Sequence, residues 1–310
     1  MDNVLKIVVA GLDNAGKTSI LTALNKKYDF HKDIRSITPT IRVEYHVIEF
    51  LKKRVIFWDM GGQETYRKMY EENQDMYFTD TDLLIYVIDV QDKDRFLMSI
   101  NYLSLILRQF KNHKINVRII ITFHKFDPEI YNDDDFLSNV KKLKEIITNK
   151  NPYFNILYQQ TSIYDIISII KLVSYSLSVF DESFYILSDL LEEYLKEFGS
   201  KSLILFDKNA IIISEFYNDI IEPETYNKFI ESIKDHIFLL KRMQEESYEL
   251  ESNLSLIGHG LLSYLHKIEI GDKSFFISVV IREHFKESFL EKFSDFLVDV
   301  RNLLELLILS

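Results

Sequence analysis

The segment that decides the fold is Gly11-Leu12-Asp13-Asn14-Ala15-Gly16-Lys17-Thr18, which fits the pattern GxxxxGK[ST]. It follows an apolar run at residues 4–10 and precedes an amphipathic pattern at residues 17–27. A strand, a glycine-rich turn and a helix in this order form a phosphate-binding loop, because backbone N–H groups and the helix N-terminus face the anion. The pattern predicts that Lys17 reaches the terminal phosphates of a nucleotide and that the Thr18 hydroxyl binds magnesium. The alternative is a glycine-rich turn that only caps a helix.

Outward from this loop, apolar runs alternate with helical patterns. Short β-branched or aromatic runs predict strands at residues 4–10, 54–58, 83–89 and 117–123. Apolar residues spaced three and four apart predict helices at residues 17–27, 95–112, 134–149 and 163–180. This alternation predicts an α/β fold, a doubly wound and mostly parallel sheet over residues 1–180, with ligands bound beyond the carboxyl ends of its strands.

The second part of the chain has a different composition. Residues 181–310 carry 13 Lys+Arg against 25 Asp+Glu, a balance of -12 that accounts for the whole net charge of -11. Predicted elements are a helix at 183–198, a hairpin of 202–206 and 210–214, a helix at 223–245, strands near 254–258, 261–270 and 274–281, and a final helix. The final helix carries an apolar stripe that we expect to pack on its own sheet: Phe285, Phe289, Phe293, Phe296, Val300, Leu303 and Leu307. We therefore predict a smaller α+β domain at residues 181–310.

Composition excludes several kinds of function. The acidic second part argues against a nucleic-acid groove, because phosphate contacts need clustered Lys and Arg. The chain has no cysteine, which removes disulfides, thiolate metal sites and thiol catalysis. The histidines are scattered, and we expect structural roles for His259 and His266. With no stretch of 18 apolar residues, we expect a cytoplasmic protein with no transmembrane segment, for which membrane association is indirect and depends on partners.

Two further segments predict a magnesium site and a switch. Trp58-Asp59-Met60-Gly61-Gly62-Gln63 follows the second predicted strand. In this position Asp59 is suited to holding magnesium through a water, Gly62 to approaching the γ-phosphate and Gln63 to orienting an attacking water. In the loop Ile37-Thr38-Pro39-Thr40-Ile41, we select Thr40 rather than Thr38 as the residue that contacts magnesium and the γ-phosphate. The alternatives are an acidic turn at Asp59 and an ordinary proline-stiffened loop.

A base-binding site is predicted by His124-Lys125-Phe126-Asp127, which closes a further strand. A carboxylate at Asp127 is suited to accepting two hydrogen bonds from guanine, which adenine does not supply, while the Lys125 stem packs over the ring. Thr161-Ser162-Ile163 begins the last helix of this part, where the Ser162 N–H can reach the guanine carbonyl. Taken alone, that segment is also explained as a helix N-cap.

Together these motifs resemble the small GTPase superfamily over residues 1–180. The segments 11–18, 39–41 and 58–63 are similar to Arf-type GTPases, whereas Val43-Glu44-Tyr45-His46, His124 in place of the usual Asn, and Thr161 to Asp165 resemble the Rag/Gtr family. The resemblance implies GTP or GDP with Mg²⁺, water positioning by Gln63, and magnesium ligands Thr18, Thr40 and Asp59. It implies a nucleotide site formed by Asp13, Asn14, Ala15, Gly16, Lys17, Thr18, Ser19, Thr40, Gly62, His124, Lys125, Asp127, Ser162 and Ile163.

The element order after residue 180 resembles the roadblock or longin-like domain at the C-terminus of Rag/Gtr proteins, with Leu203 to Asp207 as its first strand. In that family this domain pairs two GTPase chains, so the resemblance implies a second GTPase chain, identical or not, as a partner.

Three functions remain open at this point. The first is a GTP-hydrolysing regulatory switch with slow intrinsic turnover, because no arginine is placed by sequence to act in cis, and with a GAP, an exchange factor and an effector as partners. The second is a nucleotide-binding scaffold with negligible hydrolysis. The third is a P-loop kinase or ATPase, against which Asp127 and the pair Gly61-Gly62 argue.

Overall fold

A computed structural model gives the structure of the chain. It describes residues 4–26, 37–50, 53–130, 133–178, 183–208, 210–217, 232–239, 242, 252–258 and 260–309. The chain forms two compact units, Met1–Leu172 (unit 1) and Val173–Ser310 (unit 2). The domain bounds 1–180 and 181–310 stay a prediction.

The sheet of unit 1 has six strands within the described residues, in the order β2-β3-β1-β4-β5-β6. Its strands are β1 (Val4–Gly11), β2 (Val43–Phe50), β3 (Lys53–Met60), β4 (Leu83–Asp89), β5 (Arg118–His124) and β6 (Ile156–Thr161). All neighbouring pairs are parallel except β2 and β3, which are antiparallel. The predicted mostly parallel α/β sheet is therefore confirmed.

Helices connect these strands. They are α1 (Lys17–Lys26), α2 (Glu64–Glu72), α3 (Gln74–Phe78), α4 (Phe96–Asn112), α5 (Asp134–Lys150) and α6 (Ile166–Ser178), which crosses the boundary into unit 2. The helix predicted at 163–180 begins three residues later in the structure, because residues 163–165 form a turn closed by a bridge between Ser162 and Asp165.

Burial explains which strands the sequence predicts well. All of β4 except Asp89 is buried, and so is β5 except Arg118, because central parallel strands are covered on both faces. The edge strands β2 and β6 were not predicted. Both alternate or mix polar and apolar residues, since one face of an edge strand meets solvent.

Unit 2 has an antiparallel sheet that is five-stranded over the described part of the chain, in the order β8-β7-β11-β10-β9. Its strands are β7 (Ser202–Asp207), β8 (Ile212–Tyr217), β9 (Ser252–Gly258), β10 (Leu261–Ile270) and β11 (Lys273–Arg282). Helix α7 (Ser183–Glu197) precedes the sheet and helix α8 (Lys286–Leu309) follows it. An antiparallel sheet with helices agrees with the predicted α+β class.

Aromatic side chains attach α8 to the sheet of unit 2. Phe293 makes edge contacts with Tyr264 and His266 of β10, at ring-centroid distances of 5.0 and 5.2 Å. The stripe is buried at Phe289, Phe293, Phe296, Val300 and Leu307. Of the other two stripe residues, Leu303 is half-buried, and Phe285, in the 3-10 turn before α8, is 37% exposed. Leu304, which lies outside the predicted stripe, is also buried.

Two sequence predictions for unit 2 fall partly outside the described residues. Of the helix predicted at 223–245, residues 232–239 and 242 are described, and they are helical. His259 lies outside the described residues, whereas His266 lies on β10 and contacts Phe293. A search of the described helices finds none that is both long enough and apolar enough to cross a membrane.

Candidate functional site

The predicted site residues of unit 1 lie at the carboxyl ends of parallel strands. The phosphate-binding loop (residues 11–18) follows β1, Asp59 lies near the end of β3, and His124 ends β5. Thr161 ends β6 and is followed by Ser162. Because β1 pairs with β3 and β4, and β5 pairs with β4 and β6, these ends form one edge of the sheet. A single edge therefore carries the phosphate, metal and base motifs.

Lys17 is buried at the first position of α1. Its ammonium group donates to the main-chain oxygens of Gly11 (3.2 Å) and Leu12 (2.8 Å), which holds it over the loop. Burial lowers the pKa of Lys17 to about 8, partly opposed by the charges of Asp59 and Asp13. A buried cation at this end of the sheet suits the binding of an anion.

The remaining loop residues surround this position. Asn14 is exposed in the left-handed region (φ 59°), and Ala15 is buried. Ser19 is half-buried in the first turn of α1. Asp13 is exposed, and its N–H donates to the carbonyl of Gly62 (3.1 Å). The loop is thus linked directly to the segment after β3.

Gly16 marks a close approach between the phosphate-binding loop and His124. Its φ of 92° suits glycine, and a Cβ at this position would lie 2.3 Å from His124 Cδ2 and 2.7 Å from Nε2. The His124 ring is buried, and its Nδ1 is hydrogen-bonded to Thr161 Oγ1 (2.9 Å). Burial lowers the pKa of His124 to about 3, so the ring is neutral at physiological pH. His124 therefore joins the loop to the β6 end.

Three predicted metal ligands converge at Asp59. Thr18 Oγ1 donates to Asp59 Oδ2 (2.5 Å) and lies 2.8 Å from Thr40 Oγ1, and Thr40 Oγ1 also reaches Asp59 Oδ2 (3.3 Å). Asp59 Oδ1 is buried and has no hydrogen-bond partner in the described part of the chain. Burial raises the pKa of Asp59, while the charge of Lys17 and the Thr18 hydroxyl lower it. Two hydroxyls and a carboxylate fit Mg²⁺, which prefers oxygen ligands.

Gly62 lies directly against the phosphate-binding loop. A Cβ on Gly62 would come within 2.2 Å of the Asp13 nitrogen and 2.3 Å of the Leu12 carbonyl carbon, so only glycine fits here. Gln63 follows as the exposed N-cap residue of α2, and its side chain makes no capping hydrogen bond. The predicted γ-phosphate residue therefore touches the loop, and the predicted water-positioning residue lies beside it.

The base motif forms a second group at the same edge. Asp127 Oδ1 accepts a hydrogen bond from Ser162 Oγ (2.5 Å), and Lys125 Nζ donates to Asp89 Oδ2 (2.7 Å). Ser162 is fully buried and accepts from the Tyr164 N–H (3.1 Å). Ile163, between them, is half-buried in the turn. Asp127 and Ser162 thus lie together, while the Ser162 N–H, which the sequence predicts to reach the guanine carbonyl, donates to Ser168 Oγ (3.0 Å).

Two side chains of this edge were missed by the sequence reading. Gln91, just after β4, donates to Asp127 Oδ2 (2.8 Å). Arg95 donates to Asp13 Oδ1 (3.1 Å) and to Asp92 Oδ2, so an arginine does contact the phosphate-binding loop. Neither residue belongs to a motif read from the sequence, and only the tertiary structure brings the β4 loop to the site.

The mostly parallel sheet of unit 1, with a phosphate-binding loop after β1 and a buried aspartate near the end of β3, has the P-loop GTPase fold. Residues 1–165 match the model of the ADP-ribosylation factor (Arf) family. That match covers more than half of the 310 residues, and this chain belongs to the ADP-ribosylation factor family.

Curated relatives resemble part of the chain. ADP-ribosylation factor F of Dictyostelium discoideum is 33% identical over 123 residues, which cover 40% of this chain and 60% of that protein. ADP-ribosylation factor-like protein 3 of Saccharomyces cerevisiae is 37% identical over 91 residues, 29% of this chain and 44% of that protein. ADP-ribosylation factor-related protein 1 of Homo sapiens is 38% identical over 93 residues, with the same two coverages. The chain therefore spans 44 to 60% of the length of these relatives.

A solved structure also matches part of the chain. The Arl6 BBS3 small GTPase from Trypanosoma brucei, with the bound nucleotide analogue GppNp, is 20% identical at a TM-score of 0.45. The match covers 56% of this chain and 95% of that chain.

Proposed function

We propose that this chain is a regulatory switch that binds GTP or GDP with Mg²⁺ and hydrolyses GTP. The observation that carries the proposal is the convergence of Thr18 and Thr40 on Asp59, beside the buried ammonium group of Lys17. Hydroxyl, carboxylate and ammonium groups in one buried place suit a metal-bound polyphosphate. Membership of the Arf family supports the same function.

Each residue has a defined role in this proposal. Thr18, Thr40 and Asp59 would hold Mg²⁺, which neutralises charge on the phosphates when bound. Lys17 binds the terminal phosphates, and the backbone N–H groups of residues 13–18 bind the rest of the phosphate chain. Gln63 orients the attacking water. Since Thr40 belongs to a loop and Gly62 precedes α2, both segments can change with the nucleotide, and partner proteins then read that change.

Guanine selectivity is proposed for Asp127. Its carboxylate accepts from Ser162 and Gln91, and each oxygen keeps a lone pair for the N1–H and 2-amino donors of guanine. Calorimetric titration with Mg²⁺ and GDP, GTP or ATP tests this on the wild type, on Asp127→Asn and on the exposed control Asp75→Asn. We expect guanine nucleotides to bind tightly to the wild type and the control and weakly to Asp127→Asn. Equal affinity for ATP and GTP would contradict the proposal.

Slow hydrolysis that a partner accelerates is the second part of the proposal. Arg95 is ion-paired with Asp13 and Asp92, so we do not assign it a contact with the phosphates. Single-turnover assays with Mg²⁺ and GTP should give slow cleavage in the wild type and slower cleavage in Gln63→Leu at unchanged affinity. A wild-type cleavage rate constant well above one per second contradicts this part. No cleavage by the wild type would favour a nucleotide-binding scaffold.

A Rag/Gtr-like subtype is the third part, in which unit 2 is a roadblock-type domain that pairs with a second GTPase chain. The support is the element order of unit 2 and the strand order β8-β7-β11-β10-β9, together with His124 and residues 161–165. Light scattering on the intact chain, alone and with a partner chain, tests it. A particle of two chains supports the pairing, and a particle that remains one chain under both conditions contradicts it.

A further inference from the structure

We infer that Gln91 is a positioning residue for Asp127 and that it sets the selectivity for the 2-amino group of the base. The inference rests on the guanine-nucleotide site proposed above. Gln91 is exposed just after β4, whereas Asp127 follows β5.

The amide group of Gln91 has a fixed orientation. Nε2 donates to the main-chain oxygen of Lys125 (2.8 Å) and to Asp127 Oδ2 (2.8 Å), so both of its N–H bonds are used. Turning the amide over would place Oε1 against a carbonyl and a carboxylate oxygen, and two acceptors repel each other. The hydrogen-bond network therefore settles which end of the amide faces Asp127.

Gln91 and Ser162 hold the Asp127 carboxylate from opposite sides. Ser162 Oγ donates to Oδ1 and Gln91 Nε2 donates to Oδ2. With one lone pair of each oxygen used, one remains on each for a ligand. A base edge with two adjacent N–H donors matches two adjacent acceptors, and a base with one donor uses only one of them. In the inferred arrangement, Oδ2, which Gln91 holds, is the acceptor for the 2-amino group.

The loop carrying Gln91 is itself anchored to the base motif. The Gln91 N–H donates to Asp89 Oδ1 (3.0 Å), and Asp89 Oδ2 accepts from Lys125 Nζ (2.7 Å). Lys125 has a φ of 61°, a left-handed conformation that costs a non-glycine residue free energy. The hydrogen bond from Gln91 to the Lys125 carbonyl helps to maintain that conformation, so the same side chain secures both the backbone and the carboxylate of the motif.

Measured affinities for Mg²⁺ with GDP and with inosine diphosphate (IDP), which lacks the 2-amino group, test the inference. In Gln91→Leu we expect the Kd for GDP to rise about tenfold and that for IDP about threefold, because one hydrogen bond to a charged group is lost. The GDP preference over IDP then falls about threefold. Gln91→Glu places a second carboxylate beside Asp127 and should weaken GDP binding further. The control Gln74→Leu on α3 should leave the affinities for GDP and IDP unchanged.

A double variant separates positioning from a general loss of structure. In the Asp127→Ala background, Gln91→Leu should have no further effect on the GDP preference over IDP. An equal loss for both nucleotides in Gln91→Leu, or an undiminished effect in the Asp127→Ala background, overturns the inference while the proposed function stands. If the wild type binds neither GDP nor IDP, the proposed function fails together with the inference.

Discussion

Each unit contains a buried polar network, and the two networks differ in charge. In unit 1, Lys17, Asp59 and Thr40 are buried at one edge of the sheet, with the half-buried Thr18 between them. In unit 2, His236 is buried with Nδ1 at 2.8 Å from Ser278 Oγ and Nε2 at 3.0 Å from Ser263 Oγ. The first network holds ionisable groups at strand ends, and the second lies within an antiparallel sheet and the adjoining helical segment.

The difference shows how buried polar groups reveal function. A buried charge without full compensation is costly, so a protein keeps it where a ligand completes it. Asp59 Oδ1 is such a group, since it lacks a hydrogen-bond partner among the described residues. A neutral histidine bonded at both ring nitrogens needs nothing more. We therefore assign ligand binding to the network of unit 1 and a structural role to that of unit 2.

The largest effect is expected from a variant that disrupts the network of unit 1. Lys17→Ala should weaken binding of Mg²⁺ and GDP by about a thousandfold, because the phosphates lose their buried ammonium partner. Removing one partner of a buried charge pair costs about 3–5 kcal/mol. Calorimetry measures the affinity, and Lys68→Ala removes an exposed lysine paired with Glu64 as a control. If both variants bind GDP equally well, the buried ammonium group has another role.

A change in unit 2 should affect stability instead of binding. Phe293 is 5% exposed and packs against Tyr264 and Phe289, so Phe293→Ala should lower the free energy of unfolding by about 3–5 kcal/mol. The exposed Leu290 on the same helix provides the control Leu290→Ala. Denaturant titration and GDP binding are measured together. A large loss of GDP affinity in folded Phe293→Ala would contradict the separation of roles.

The pH dependence of stability sharpens the comparison. Burial lowers the pKa of His236 to about 4 from 6.5, so the unfolded chain binds more protons than the folded chain between these values. Stability should therefore fall as the pH drops from 6.5, by about 3 kcal/mol at pH 4 from this residue. Denaturant titrations of the wild type and His236→Gln at several pH values isolate the contribution. Identical pH slopes would rule out a buried neutral histidine.

The smallest expected effect concerns the loop carboxylate. Arg95 compensates Asp13, whose negative charge would otherwise repel phosphates. Arg95→Ala should weaken GTP binding about fivefold, because a partly exposed ion pair contributes about 1 kcal/mol. The exposed Arg108→Ala is the control, and Asp13→Asn should remove the effect of Arg95→Ala. A persistent effect in that background means that Arg95 does not act through Asp13.

The sequence predicts the site best where local motifs dictate the backbone. The phosphate-binding loop and Asp127 follow largely apolar strands, and Asp59 lies near the end of β3. Their placement at one edge follows from the parallel sheet. Whether His124 contacts the base or the phosphate-binding loop could not be decided from the sequence, and the fold brings its ring against Gly16.

What the sequence missed depends on tertiary context. Edge strands β2 and β6 carry polar residues on their solvent side, so they lack the continuous apolar pattern of β4 and β5. Gln91 and Arg95 are ordinary polar residues until the fold brings their loop to Asp127 and Asp13. In unit 2, the buried face of α8 also includes Leu304, next to the half-buried Leu303, because the spacing of apolar residues does not give the width of the face that packs.

The central claim is that the charged network of unit 1 is the nucleotide site. Its most direct test is hydrogen exchange of the intact chain with and without Mg²⁺ and GDP. We predict slower amide exchange on GDP addition in residues 11–18, 59–63, 124–127 and 161–163, with no change at residues 232–239 and 261–282. Unchanged exchange in the phosphate-binding loop, or protection confined to the histidine network of unit 2, would contradict the account.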